Sequence, residues 1–592
     1  MNRRRLFKRP VVWLGMAAVM VLPAWGRMAA VVGVQKKSDG VILTMQSGTL
    51  RLQVWSDRII RVTFAPGTQL PTTKNLSVIG KPAQTMWSLP QTPNVVVVKT
   101  ESLQVRVDRN TGAVGFYDLN GHPILQEQAD GREVPLTPGG MGVQQSFILA
   151  PDEGIYGLGQ HQGGVWNYRG TTVHLQQQNM EVAVPVLVSS KGYGVLWDNP
   201  EITDVDVGKS NKGILTWTSE TGGAAEYYFM FGPTADDVIQ DYRALTGAAP
   251  MMGRWVWGFW QCKEHYASQE ELTNVVAEYR RLGVPLDGII QDWQYWTNGM
   301  WGSHEFDRKR YPHPEEMIQD LHAMHTHVMI SVWPKFDLGT ANFNELERAG
   351  ALYAPTLHGF VPNELDKYYD PFNPVGRLIY WQQILDNLFK LGIDAWWLDA
   401  SEPELSGHWG QFRQFQTALG PGSNVFNAYP LMHTMAVYQG QRAATDRKRV
   451  CILTRSAYAG QQRNAAITWS GDIHGTWDVF AKQIPAGLNF SISGIPYWNT
   501  DIGGFWGEQP TDKKYQELFT RWFEFGAFCP MFRVHGTVAP KEFWRWDKPT
   551  QQIWERFVDL RYRLLPYIYS VSWQVTHNGS TMMRPLIMDF PS

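Results

Sequence analysis

The chain is nearly without cysteine. Only Cys262, Cys451 and Cys529 occur in 592 residues. An odd, sparse set makes no disulfide framework. Each lies in or beside an apolar run, where an inert buried thiol is expected. CxxC pairs and HExxH are absent, so no metal site is indicated. Net charge is almost absent too: 53 basic against 55 acidic residues leave -2. That excludes the positive field of a nucleic-acid binder and suits a neutral partner. There are no short-period repeats and no low-complexity tracts. Beyond the N-terminus, no stretch approaches a membrane span. The N-terminus reads MNRRRLFKRPVVWLGMAAVMVLPAWGRMAA. Five basic residues precede an apolar run from Val11 to Trp25, and small residues follow. The run is short for a spanning helix and reads as a secretory signal peptide over residues 1–30, with an uncleaved anchor as the alternative. The expected location is secreted or periplasmic.

What is present is ordinary globular material, 44% hydrophobic and 18% charged, enough for two or three domains. The 27 tryptophans and 23 tyrosines suit sugar faces, but they also fill ordinary cores. From residue 31 to 248, short alternating runs such as TLRLQVWS, RIIRVTFAPG and KGYGVLWDN are punctuated by turn signals such as DRNTG and DLNG. These predict an antiparallel β-sandwich. From 249 to 575 the rhythm becomes strand then helix. DGIIQDW precedes HPEEMIQDLHAMH, and AAITWSGD precedes TWDVFAKQIPAGLNF. About eight such units predict a parallel (β/α)8 TIM barrel. Residues 576–592, with MRPLIMDFPS, read as only the start of a C-terminal β-domain. The fold class is therefore multidomain: sandwich, then barrel, then a further β-segment.

The chemistry should sit where barrel strands end. DAWWLDASEPEL drives an apolar strand inward and finishes it with Asp399, Glu402 and Glu404. Asp292 ends DGIIQD, Asp472 ends AAITWSGD, Asp501 lies late in YWNTDIGG, and His535 ends FRVH. Four acids and a histidine converge on one rim. A single strand-end Asp is commonly a cap or an ion-pair partner. Several acids flanked by tryptophan suggest carboxylates set on either side of a glycosidic bond. Read singly, His535 is as readily a core histidine, Arg455 a strand-end brace, and Asp501 a turn residue among glycines. Glu402 is either a sugar ligand or a solvated loop charge, and Glu404 reads as solvated. Trp396 and Trp397 alternate, one toward the barrel interior and one toward the helices.

These motifs resemble glycoside hydrolase family 31, the retaining α-glucosidase and α-xylosidase family, over nearly the whole chain from residue 40. DAWWLDASEPE resembles its nucleophile signature and implies Asp399 as nucleophile. TWSGD resembles its acid/base signature and implies Asp472. QDWQYW, ILTRSAYAGQQR and MFRVHG imply Asp292, Arg455 and His535 as substrate-binding. SVWPKF and WWLD place Trp333 and Trp397 on the pocket wall, and YGLGQHQGGVWNYRG resembles the N-terminal domain that lends the pocket a loop. The implied mechanism is double displacement with no cofactor. It requires an ionised Asp399, paired with Arg455, and an Asp472 whose pKa is raised.

WWLDASEPE, GFWQCKEHY and SVWPKF are most similar to the bacterial α-xylosidase branch. That implies release of α-linked xylose from the ends of xyloglucan oligosaccharides. α-Glucosidase or α-transglucosylase activity is the alternative, and a non-catalytic carbohydrate-binding relative is a further one. Trp293, Cys262 and Trp333 are candidates for rejecting the extra hydroxymethyl group of a hexose. The run from GYGVLWDN to FMFGPTADD leaves no room for the inserted module that some of that branch carry.

Overall fold

The computed structural model describes residues 30–590 except 72–74, 138–139, 359–364, 508 and 538–539. The leader reading falls on residues outside that set, save Ala30.

The sandwich forms as the alternation requires. One eight-stranded antiparallel sheet runs, in spatial order, Val31–Lys37, Gly40–Met45, Gly48–Val54, Ile59–Ala65, Ala225–Phe231, Tyr193–Trp197, Val182–Ser189 and Ile155–Gln160. The other runs Thr172–Leu175, Thr203–Val207, Ile214–Ser219, Val143–Ile148, Pro123–Glu133, Val114–Tyr117, Gln104–Asp108 and Val95–Lys99. Along the last two strands Val96, Val98, Val105 and Val107 are buried, while their neighbours face outward. Period-2 burial of this kind packs one sheet face on the other. Phe116 stacks on Phe229 at 3.9 Å and Trp197 on Trp217 at 5.6 Å in the shared core.

Eight short parallel strands follow: β1 Phe259–Lys263, β2 Gly288–Gln291, β3 His327–Ser331, β4 Ala395–Leu398, β5 Ile452–Thr454, β6 Ala466–Trp469, β7 Trp498–Asn499 and β8 Phe532–Val534. Each pairs with its sequence neighbour from β1 to β7, and β8 pairs with β1. A single bridge between Ile502 and Val534 links the β7 and β8 ends, so the barrel is nearly closed. β4 is buried along its whole length, as a strand covered on both faces must be. Helices Gln269–Arg281, Pro314–Ala323, Pro374–Asn387, Tyr429–Ala444, Trp477–Ile492, Lys513–Gly526 and Lys548–Asn578 cover the outside.

Two expectations are corrected. The strand-then-helix rhythm fails between β5 and β6, where a 3-10 turn, Gln461–Asn464, is the only helical element. Left-handed Gly460 and Ala465 bracket that turn and stop it from growing into an α-helix. The segment read as the start of a β-domain carries no strand among its described residues. Residues through Asn578 belong to the last barrel helix, and Leu586–Asp589 forms one turn, closed by Phe590 N–H donating to Leu586 O at 2.8 Å. Arg584 ties it back, donating to both oxygens of Asp236 at 2.7 and 2.8 Å. Among the described residues no helix is long and apolar enough to cross a membrane.

Sandwich and barrel meet through buried polar contacts. Asn489, on the helix after β6, accepts from Gly157 N–H at 2.9 Å, and its amide donates to the carbonyls of Val165 and Trp166 at 3.0 and 3.2 Å. Gly159 N–H donates to Ser493 Oγ at 2.9 Å. Gly157 and Gly159 sit at φ 100° and 98°, where a side chain would strike the carbonyls of the neighbouring strand, so YGLGQ needs both glycines. Trp498 Nε1–H donates to Gln160 Oε1 at 2.7 Å.

Asn489→Ala would orphan a buried N–H and two carbonyls. We expect a loss of about 1–3 kcal/mol in stability, read as a lower denaturant midpoint. An unchanged midpoint would show that these backbone groups find other partners.

Candidate active site

Every acid of the predicted rim lies just past a strand end. Asp292 follows β2 by one residue, Asp399 follows β4 by one, Asp472 follows β6 by three, Asp501 follows β7 by two, and His535 follows β8 by one. The centre of the arrangement is Arg455, one residue past β5 and almost wholly buried. Its Nε donates to Glu402 Oε1 at 2.7 Å, and its Nη2 donates to Glu402 Oε2 at 3.3 Å and also to Glu404. Its Nη1 donates to Asp472 Oδ2 at 2.9 Å and lies 3.5 Å from Asp399 Oδ1. The sum of those two contacts keeps the facing oxygens of Asp399 and Asp472 within about 6.4 Å of each other. Retaining glycosidases hold their carboxyls roughly 5–5.5 Å apart, whereas inverting enzymes need roughly 6.5–9.5 Å.

Glu404 is therefore not the solvated charge the sequence suggested. It is buried against Arg455, because the loop from Ala400 to Gly407 folds back on itself through positive φ at Ala400, Leu405, Ser406 and Gly407. Ser406 anchors that loop, its N–H donating to Tyr368 Oη at 3.1 Å and its hydroxyl to Asp366 Oδ2 at 3.2 Å.

One guanidinium facing four carboxylates cannot neutralise them all. Burial pushes Asp399 up to about 7; Arg455 opposes that rise, while Asp472, Glu404 and Glu402 add to it. Burial likewise pushes Glu404 up to about 7. Asp399 is less exposed than Asp472 (14% against 21% of its side chain) and lies farther from Arg455, so burial weighs more heavily on it.

The sandwich completes the site. Asn179 Nδ2 donates to Asp472 Oδ2 at 2.7 Å, and Asp472 N–H donates to Asn179 Oδ1 at 3.0 Å. Gly471, at φ 77°, permits this approach, since a Cβ there would lie 2.6 Å from Asn179 Oδ1. The contacting loop is QQQNM, and Gln160 of the YGLGQ stretch donates to the Met180 carbonyl behind it at 2.8 Å. Asn179 carried no signal in the sequence, since its partner lies 293 positions away.

The other candidates divide. Asp292 and His535 come together, with His535 Nε2 at 3.7 Å from Asp292 Oδ2. Burial raises Asp292 well above the usual carboxylate range and holds His535 well below the usual imidazole range, so that ring is neutral. Phe505 stacks on His535 at 5.1 Å and Trp397 tilts against it at 5.1 Å. Trp397 faces inward, packed on Trp469 at 4.4 Å, while Trp396 faces the helices and donates to Gln441 Oε1 at 2.8 Å. Trp333 and half-buried Trp293 both set their rings edge-on to Trp301, at 4.7 and 5.8 Å. Cys262 is fully buried in β1 and forms part of no exposed wall. Asp501 is more than a turn residue. It is fully buried and paired with Arg533, whose Nε also donates to Asn499 Oδ1 at 3.0 Å. Arg533 in turn lies 4.9 Å over the Trp397 ring.

This geometry agrees with what the chain is similar to. The model of the glycosyl hydrolases family 31 TIM-barrel domain matches residues 249–571, and that of the glycosyl hydrolase 31 N-terminal galactose mutarotase-like domain matches residues 49–206. An α-xylosidase of Saccharolobus solfataricus is 40% identical over 92% of this chain and 75% of its own length. The crystal structure of a family 31 α-xylosidase from Xanthomonas citri superposes with TM-score 0.89 at 32% identity, covering 94% of this chain and 80% of that one. A family 31 α-xylosidase from a soil metagenome, complexed with xylose, superposes at 0.90 with 32% identity over 95% and 88%. With both domains matched in order and Asp399 and Asp472 brought together at Arg455, the chain belongs to glycosyl hydrolase family 31.

Proposed function

We propose that this chain is an exported, retaining, exo-acting α-glycosidase that releases α-linked xylose from oligosaccharides such as those of xyloglucan. The observation that carries the chemistry is the meeting of Asp399 and Asp472 at one nitrogen of Arg455. The substrate reading is supported by relatives named α-xylosidases, one of them complexed with xylose. Asp399 attacks the anomeric carbon of the α-glycoside and forms a β-glycosyl ester. Asp472 gives its proton to the departing oxygen, then takes one from the incoming water. Burial pushes Asp399 up, and the Arg455 guanidinium beside it, 3.5 Å away, favours the ionised form that attack requires. Asp292 and neutral His535 accept and donate to ring hydroxyls, bonds that strengthen as the ring flattens. Trp397, Trp333 and Trp293 present apolar faces to the sugar.

Turnover of 4-nitrophenyl α-xyloside and α-glucoside, measured side by side, tests the substrate. The xyloside is expected to be preferred in kcat/KM. Trp293→Ala is expected to narrow that preference by about 1–3 kcal/mol, the worth of one small group in a shaped pocket. Preference for the glucoside in the parent would overturn the xylosidase assignment.

The two carboxylates are told apart by azide. Asp472→Ala should lose on the order of 10²–10⁴ in rate on poor leaving groups, and azide should then intercept the ester to give the α-glycosyl azide. Asp399→Ala should instead yield the inverted β-azide. Exchanged anomers would reverse the two roles.

The pH profile tests the cluster. Asp399 must be ionised to attack, and its carboxyl sits near pH 7 in the folded protein, so kcat/KM falls as pH drops through that region. Glu404 is one of the charges holding Asp399 up. Glu404→Gln should therefore move the acid limb to lower pH. A limb that stays in place would mean that Asp399 does not feel Glu404.

A further inference from the structure

Two residues of the proposed sugar site share a set of metal donors with a buried cysteine. Cys262 of β1, Asp292 past β2 and His535 past β8 each offer a ligand atom, and these atoms lie within 4.8 Å of one another. Among the described residues no other group of three or more His, Cys, Asp or Glu meets that condition. All three are buried, at 0%, 4% and 1% exposure. The Cys262 thiol donates to the Lys263 carbonyl, at 3.7 Å, whereas Asp292 Oδ1 and His535 Nδ1 have no hydrogen-bond partner. Buried polar atoms are rarely left so.

We propose that these three side chains form a binding site for a thiophilic divalent cation of the Zn²⁺ type, which on binding blocks the sugar pocket. A thiolate, an imidazole nitrogen and a carboxylate with one open position make an ordinary tetrahedral zinc environment. Ligands at normal zinc distances stand about 3.3–3.6 Å from each other, and His535 Nε2 and Asp292 Oδ2 already stand 3.7 Å apart. The Cys262 sulfur lies within 4.8 Å of both, so a closing movement of about 1 Å brings it to zinc-ligand spacing. Charge also balances, since a thiolate and a carboxylate cancel a divalent ion in a buried site. Arg533 lies close enough to Cys262 to act on its thiol and would repel a cation, but Asp501 pairs with that guanidinium. Phe505 and Trp397 hold the His535 ring in plane. The ion binds by displacing the thiol proton to solvent, with no oxidation or reduction.

Only the blocking half of this inference rests on the proposed sugar-binding role of Asp292 and His535. If they grip ring hydroxyls, the ion takes the hydroxyls' place and its inhibition is competitive.

Two readouts separate the halves. Co²⁺ added to the full chain should give a near-ultraviolet thiolate-to-cobalt band and tetrahedral visible bands, saturating at about one equivalent. Cys262→Ser, checked for folding by circular dichroism and melting, should lose the thiolate band. Zn²⁺ should raise KM for the nitrophenyl glycoside without lowering kcat, and Cys262→Ser should weaken that inhibition tenfold or more. Absence of the cobalt–thiolate band in the parent chain overturns the site whether or not the variant folds, as does equal zinc inhibition of parent and variant. A cobalt band with non-competitive zinc inhibition keeps the metal site and overturns the sugar-binding placement of Asp292 and His535.

Discussion

The site depends on one buried guanidinium. Arg455 is held by Glu402 through two hydrogen bonds, by Glu404 through another, and reaches Asp472 and Asp399 with its remaining nitrogen. Four carboxylates this close would repel one another and leave the low-dielectric interior without a central cation. With it, they are gathered but under-neutralised, and that imbalance keeps protons in the cluster near neutral pH. A retaining glycosidase needs that condition, with one carboxyl charged and its neighbour able to hold a proton. The two glutamates do not have to touch the sugar to matter, because they fix where the arginine can point.

The barrel alone does not finish the arrangement. Asp472 has a second pair of bonds, to Asn179, and Asn179 belongs to the sandwich. The two domains are locked by groups that would be costly to leave unpaired. Asn489 and Ser493 receive the N–H groups of Gly157 and Gly159, and Gln160 joins Trp498 to the loop behind Asn179. Sequence features that look unrelated thus serve one end. The glycines of YGLGQ let a strand pass close to the barrel, and Gly471 lets Asn179 reach the acid. The position of Asp472 is set from both sides of the domain boundary.

The aromatic content has a similar logic. Trp397 lies between Trp469, His535 and Arg533, so the floor of the barrel mouth is braced by stacking and by a cation over a ring. Arg533 is in turn neutralised by Asp501. Asp501 therefore acts on the site through two intermediaries, which its neighbouring glycines gave no means of seeing.

Alternation, apolar strands and turn residues were enough to read a sandwich followed by a barrel, because burial on one face or on both imposes a period that the chain itself carries. Asp292, Asp399, Asp472, Asp501 and His535 were legible at the rim for a related reason, since a parallel barrel delivers whatever follows each strand to one end, while Arg455 came in through the family resemblance. The chain alone could not reveal what those side chains touch. Glu404 looked solvated until a loop turning through four positive-φ residues buried it. Asn179, Phe505 and the gathering of Cys262 with Asp292 and His535 join residues from different strands or different domains, where no local spacing exists to read. That Asp399 is raised could not be read either, because the pKa of a buried acid is set by desolvation and by charges that only the folded chain brings together. Sequence determined which groups stand at the rim; tertiary structure decided which are paired, which are charged, and which face the same empty space.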